Sequence, residues 1–314
     1  MPDIPIHVFS EHATRFRDLI LEVEPMRDVV AWTDREAFDD GIAQARVVFA
    51  PFPPRDGWAD AGRLELVQLL GVGADHFLPA PTLPERVHIA GMRGAMADDV
   101  AEHVLLMLLA LTRDLLGFAA DQRAHRWKQR KVARLRGRKL AILGFGSIGA
   151  AVAARAAPFG CAIRAVRRHP EPAAGVEAVL GPDRLLDVLR WCDSLVVCTP
   201  LTDETRGLVG AEALERLADG ALLVDVSRGG VVAPGPLADR LRAGTLRAAL
   251  DVFEDEPLDP ASPLWELPNV VVTPHVSGFG EGYLERAVAM LLENVGRLER
   301  GEPLIGLVDR DLTY

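Results

Sequence analysis

Cysteine is scarce in this chain. Only Cys161, Cys192 and Cys198 occur among 314 residues, each inside an apolar stretch. Any disulfide would leave a thiol over, and no CxxC pair is present, so neither a disulfide framework nor a zinc knuckle has support. The expected compartment is the reducing cytoplasm, and no metal site is expected. Long apolar runs are missing too. The longest, residues 104–111, is less than half the ~20 residues that span a bilayer, which argues for a buried helix and against an anchor. The start, Met1-Pro-Asp-Ile-Pro, lacks the basic stretch and apolar core of a secretory signal. A positive surplus is also absent. Lys+Arg 35 against Asp+Glu 45 leaves a net charge of −10, which argues against nucleic acid or an anionic membrane as the main partner.

What is present is an ordinary globular mixture, with 49% hydrophobic and 25% charged residues. At roughly 150 residues per domain the length suggests about two domains. From Leu140 onward, short apolar runs recur at residues 140–143, 162–166, 195–199, 221–226, 246–253 and 270–273, each bounded by Gly, Pro, Asp or Ser. Helical patterns lie between several of them, most clearly at 148–159 and 182–191. Apolar runs without alternation suit strands buried on both faces, hence a parallel sheet between helical layers. Six strands would complete a doubly wound dinucleotide-binding sheet. Residues 6–9, 46–50, 64–70 and 87–90 read as strands of a second, smaller α/β domain, with a helix at 36–44. Residues 98–116 read as one connecting helix, opened by Asp98 and Asp99 where negative charge suits a helix N-terminus. Nine Lys or Arg fall between Arg123 and Lys139. With Trp127 their only aromatic companion, they suit a solvated arm better than a base-stacking strip.

The run Leu140-Ala-Ile-Leu-Gly144-Phe145-Gly146-Ser147-Ile148-Gly149 takes a strand through GxGxxG into a helix. Each glycine has its own task there: Gly144 the tight turn, Gly146 close approach to a pyrophosphate, Gly149 close packing of helix on strand. The first turn at Ser147 and Ile148 offers free N–H groups to phosphate. The acid that would hold the ribose 2′-hydroxyl of NAD is expected about 20 residues on. Arg167 and Arg168 stand there instead, and no acid follows until Glu171. Two guanidiniums suit a 2′-phosphate, so NADP(H) is expected over NAD(H), with Arg167 the first candidate and Arg168 the second. The alternative is that they face solvent at a strand end.

Three further strands end in chemistry: Val226-Ser227-Arg228-Gly229, Asp251-Val-Phe-Glu-Asp-Glu256-Pro257 and Thr273-Pro274-His275. Ligands of such sheets bind beyond the carboxyl ends of the strands, so an arginine, acids and a histidine should reach one edge. With Gly71-Val-Gly-Ala-Asp75, Val100-Ala-Glu-His103 and the glycine loop, this ordered set resembles the D-isomer-specific 2-hydroxyacid dehydrogenases over nearly the whole chain. The character is nearest the NADPH-dependent glyoxylate/hydroxypyruvate reductases. The resemblance implies a Rossmann-type α/β nucleotide domain (98–283) inserted into a smaller flavodoxin-like substrate domain (1–97 with 284–314), and a homodimer.

It also implies roles. His275 would be the general acid and base, hydrogen-bonded by Glu256, which stabilises the imidazolium. Arg228 would hold the substrate carboxylate, with backbone N–H groups of Val72 and Gly73 binding it too. Asp251 would meet the nicotinamide, and Thr199, Val226 and Gly278 would line the cofactor groove. Several positions depart from the family pattern. Arg167 replaces the acid of NAD-using members, Glu256 is not the Gln of formate-oxidising relatives, and Arg93 falls where Pro is expected. The extra regulatory domain of many phosphoglycerate dehydrogenases is not expected. The expected reaction is NADP(H)-linked reduction of a small 2-oxo acid. The alternatives are an NAD-preferring dehydrogenase, a dinucleotide-sensing corepressor-like protein and a serine hydrolase using Ser227 or Ser277, for which no GxSxG elbow exists.

Overall fold

A computed structural model describes residues 4–55, 57–78 and 80–312. The reading of Met1-Pro-Asp at the N-terminus lies outside the described residues. The chain forms two compact units, Met1–Met96 with Gly280–Tyr314, and Ala97–Phe279.

The first unit opens with β1 (Ile6–Phe9), α1 (Ala13–Val23), β2 (Val29–Trp32), α2 (Arg35–Gly41), β3 (Val47–Ala50), β4 (Leu66–Leu69) and β5 (His88–Ala90). The strands form one parallel sheet in the order β2-β1-β3-β4-β5, the flavodoxin-like winding. β3 and β4 are buried throughout, as their apolar runs require. The helix expected at 36–44 divides, because a 3₁₀ turn (Ile42–Gln44) follows α2. β2 was not expected; all four of its residues are only half-buried, so its apolar signal is weak.

The second unit begins with α3 (Ala97–Thr112) and α4 (Leu115–Arg123). The single helix expected over 98–116 is therefore corrected. The Thr112 hydroxyl donates back to Leu108 O at 2.6 Å, Asp114 turns left-handed at φ 56°, and the two helices bend by 66°. Among the described residues no single helix is long and apolar enough to cross a membrane. The basic stretch after α4 is partly neutralised. Arg130 pairs with Asp114 and Asp121 and lies over the Phe118 ring at 3.9 Å, and Arg138 pairs with Asp193.

There follow β6 (Lys139–Leu143), α5 (Ser147–Ala156), β7 (Ala162–Val166), β8 (Ala178–Leu180), α6 (Leu185–Trp191), β9 (Ser194–Val197), α7 (Ala211–Arg216), β10 (Ala221–Asp225), α8 (Pro234–Arg242), β11 (Leu246–Leu250) and β12 (Val270–Val272). All seven strands are parallel, in the order β12-β11-β10-β9-β6-β7-β8. The order reverses beside β6, which makes the crevice between β6 and β9 the topological switch point of a Rossmann sheet. The seventh strand is β8, a three-residue edge strand too short and half-buried to register as an apolar run.

The chain then returns to the first unit through α9 (Tyr283–Arg300), which buries Ala287, Val288, Leu291, Leu292, Asn294 and Val295 at helical spacing. Asn294, fully buried, donates to Gln68 Oε1 of β4 at 2.8 Å and exchanges bonds with the Ile305 backbone. Residues after it bridge antiparallel to β5 through Leu307 and Ala90. One polar side chain thus ties helix, sheet and C-terminal segment, satisfying its own buried groups in doing so.

Candidate active site

β6 runs directly into the glycine loop, and each glycine meets a different steric demand. Gly144 has φ 92°, and a Cβ there would lie 2.7 Å from Thr199 N, so the turn presses against the end of β9. At Gly149 a Cβ would lie 2.3 Å from Gly144 O, which only glycine at this close helix–strand approach avoids. Nothing comes within 4 Å of the Cβ position at Gly146. The loop is therefore tight beneath and open above, with Ser147 exposed at the first turn of α5 and Phe145 turned into the core at 7% exposure. That cradle fits a dinucleotide pyrophosphate held by helix N–H groups.

Arg167 follows the end of β7, half-buried, its N–H donating to Leu180 O at 3.0 Å. Among the described residues its guanidinium has no hydrogen-bond or ion-pair partner. Arg168 differs, being paired to Glu204. Thr199 and Val226, at the ends of β9 and β10, are buried, as is Gly278. Cys198 donates to Gly144 O at 3.0 Å, and burial pushes its thiol up to about 12, so it is a packing residue beneath the loop.

The catalytic candidates meet at the adjoining strand ends. His275 sits three residues past β12 with φ 53°, and its Nδ1 lies 2.8 Å from Glu256 Oε2. The other oxygen of Glu256 accepts from Phe253 N–H at 2.9 Å, so the carboxylate is fixed at both ends. Burial acts to raise the Glu256 carboxyl, yet the hydrogen bonds from His275 and Phe253, with the charges of His275 and Arg228, hold it below the usual value. With Nδ1 engaged, Nε2 of His275 is the nitrogen left to serve a substrate. Arg228 follows β10 and donates to Ser227 O at 2.8 Å. Its neighbour Gly229 packs so closely that a Cβ would fall 1.8 Å from Phe253 O. Glycine at this position lets the Arg228 loop lie against the loop that carries Glu256.

Asp251 is the hub of this edge. Its side chain is 1% exposed. It accepts from the Thr273 hydroxyl at 2.6 Å, from Val276 N–H at 3.0 Å and from Ser277 N–H at 3.0 Å. Its carboxylate thus fastens the turn on both sides of His275. Three partners were given no role in the sequence reading: Thr273, His103 on α3, and Asp225 at the end of β10. Asp225 is buried, accepts from Ser227 N–H at 3.0 Å and from the Ser227 hydroxyl, and burial raises its pKa to about 7. Neither Ser227 nor Ser277 bonds His275 among the described residues, so no serine–histidine pair forms. In the first unit, Val72 and Gly73 follow β4 in a loop that Met92 N–H pins through Gly71 O at 2.8 Å.

The family model for the D-isomer specific 2-hydroxyacid dehydrogenase NAD binding domain matches residues 105–277. The chain belongs to the D-isomer-specific 2-hydroxyacid dehydrogenases. It is 31% identical over 297 residues to a glyoxylate/hydroxypyruvate reductase A of Serratia proteamaculans, covering 92% of this chain and 93% of that one. A crystal structure of a family member from Xanthobacter autotrophicus Py2, in complex with NADPH and MES, superposes with a TM-score of 0.88 at 32% identity, over 99% of this chain and all of that one. D-3-phosphoglycerate dehydrogenase of Mycobacterium leprae is 36% identical over 247 residues, 78% of this chain. There the chain spans only about half, 47%, of the relative's length.

Proposed function

We propose that this dehydrogenase is an NADPH-dependent reductase of small 2-oxo acids such as glyoxylate or hydroxypyruvate, in which His275 is the general acid, Glu256 its partner and Arg228 the substrate-carboxylate clamp. The observation that carries the reading is the 2.8 Å contact between His275 Nδ1 and Glu256 Oε2 at the strand edge that also bears Arg228 and the glycine cradle. The relative from Serratia proteamaculans and the NADPH complex from Xanthobacter autotrophicus support it.

Bound NADPH would supply the hydride. Glu256 orients the imidazole through Nδ1, leaving Nε2–H to protonate the carbonyl oxygen as the carbon is reduced. Arg228 holds the carboxylate of the 2-oxo acid by its planar fork and polarises the carbonyl beside it. In the first unit, the N–H groups of Val72 and Gly73 are proposed as backbone donors to a carboxylate. Gly144, Gly146, Ser147, Ile148 and Gly149 hold the pyrophosphate. Thr199, Val226 and Gly278 would line the groove, and Asp251, 1% exposed and engaged by Thr273, Val276 and Ser277, would serve the nicotinamide end by holding that edge together. Arg167, whose guanidinium has no partner among the described residues, takes the ribose 2′-phosphate. Arg168 is the secondary contact because Glu204 already engages it.

A homodimer is part of the same proposal. Leu106, Leu115, Phe118 and Trp127 are exposed on α3, α4 and the segment that follows, with Trp127 at 94%. Such a group of apolar side chains suits a second copy of the chain. Three free thiols fit a cytoplasmic setting. The test is a panel of initial rates: NADPH and NADH in parallel against glyoxylate, hydroxypyruvate, pyruvate and bulkier 2-oxo acids. Reduction of the small acids with NADPH is expected. Failure with every acid would overturn the assignment.

A further inference from the structure

His103 lies on α3, which buries one apolar face in the core, and its side chain is only 13% exposed. Its Nε2 is 3.2 Å from Thr273 Oγ1 and 3.8 Å from Asp251 Oδ1. The proton of the Thr273 hydroxyl is already committed, because it donates to Asp251 Oδ1 at 2.6 Å. Only lone pairs of that oxygen face the ring, so Nε2 carries a hydrogen and donates. Burial lowers the pKa of His103, against the opposing pull of Asp251, which keeps the ring a neutral single donor.

The relay has a direction. His103 fixes the Thr273 hydroxyl, the hydroxyl points at Asp251, and Asp251 also holds Val276 N–H and Ser277 N–H. His275 lies between these anchors in a left-handed conformation, φ 53°, which a non-glycine residue keeps only when its surroundings over-determine it. We propose that His103 is a positioning residue for proton transfer, acting through Thr273 and Asp251 to hold the turn that aims His275. This rests on the reading of His275 as the general acid.

The test uses the full chain with His103→Phe, His103→Gln and Thr273→Val. Each is read by kcat, by KM for NADPH and by amide hydrogen exchange at Val276 and Ser277. His103→Phe should lower kcat about tenfold, the worth of one ordinary hydrogen bond, leave KM for NADPH within about twofold, and speed exchange at both amides. Gln places a donor near Nε2 and should restore kcat and protection. Thr273→Val should reproduce His103→Phe, and the double variant should be no worse than either, because one relay is broken. Wild-type kcat and exchange in His103→Phe, or a Gln variant as impaired as Phe, overturns the inference. If His103→Phe does not fold, wild-type behaviour of Thr273→Val overturns it equally. Were the wild-type protein to reduce no 2-oxo acid, the function assignment would fall, while amide exchange would still judge the relay.

Discussion

Glu256 grips His275 with one carboxylate oxygen and the Phe253 amide with the other, at 2.8 and 2.9 Å. The first contact orders the ring and the second prevents the carboxylate from following it away. Glu256→Gln keeps the shape and removes the carboxylate that engages His275 Nδ1. We expect kcat to fall by roughly 10²-fold, the lower range for a proton-transfer group, with KM for NADPH little changed. The pH dependence follows from the sign. A carboxyl held below its usual value keeps its contribution through mildly acidic pH and loses it only as pH falls through the depressed folded value. Activity profiles of wild type and Glu256→Gln over an acid series check both expectations.

Gly229 gives a steric prediction. A methyl group there would sit 1.8 Å from Phe253 O, a backbone atom that cannot rotate aside. Gly229→Ala should separate the Arg228 loop from the Glu256 loop and cost about 1–3 kcal/mol, as overpacking does. Thermal unfolding should show that loss, and the surviving folded enzyme should have a raised KM for the 2-oxo acid.

Much of this architecture was legible in the sequence where burial is complete. β3 and β10 fall on apolar runs because strands buried throughout advertise themselves. β2 and β8 did not, since half-buried residues on short edge strands carry little pattern. The end of α3 was misjudged because apolar residues continue past it, while Thr112 and Asp114 break the backbone locally. At the site, the Arg, Glu and His stood out as chemistry at strand ends. The Asp251 hub did not, because Thr273 and His103 come from elements 22 and 148 residues away in sequence and only folding brings them to one carboxylate.

The proposed cofactor choice turns on Arg167. Arg167→Asp replaces a guanidinium that has no partner among the described residues with the acid of an NAD site. Losing a charge-assisted contact is worth about 1.5–3 kcal/mol, so KM for NADPH should rise roughly 10- to 150-fold while that for NADH falls or holds. Arg168→Ala should do less, since Glu204 already occupies that side chain. Parallel kinetics with the two cofactors measure the ratio, and an unchanged preference would return Arg167 to a solvent-facing role.

Asp225 predicts a pH effect on stability. Burial raises its folded pKa to about 7, aided by repulsion from Asp251 and opposed by the bonds from Ser227. Between the ordinary carboxyl value and about 7 the folded state holds a proton that the unfolded state has released. Stability therefore falls as pH rises through that window and levels off above it. Asp225→Asn, which stays neutral, should flatten the change in Tm between about pH 5 and pH 8.

The central claim is that His275 delivers the proton. The direct measurement is kcat of His275→Ala with glyoxylate and NADPH, alongside the Kd for NADPH from fluorescence titration. We expect kcat to drop by about 10²- to 10⁴-fold with Kd within about twofold of wild type. A variant that turns over at close to the wild-type rate would contradict the account.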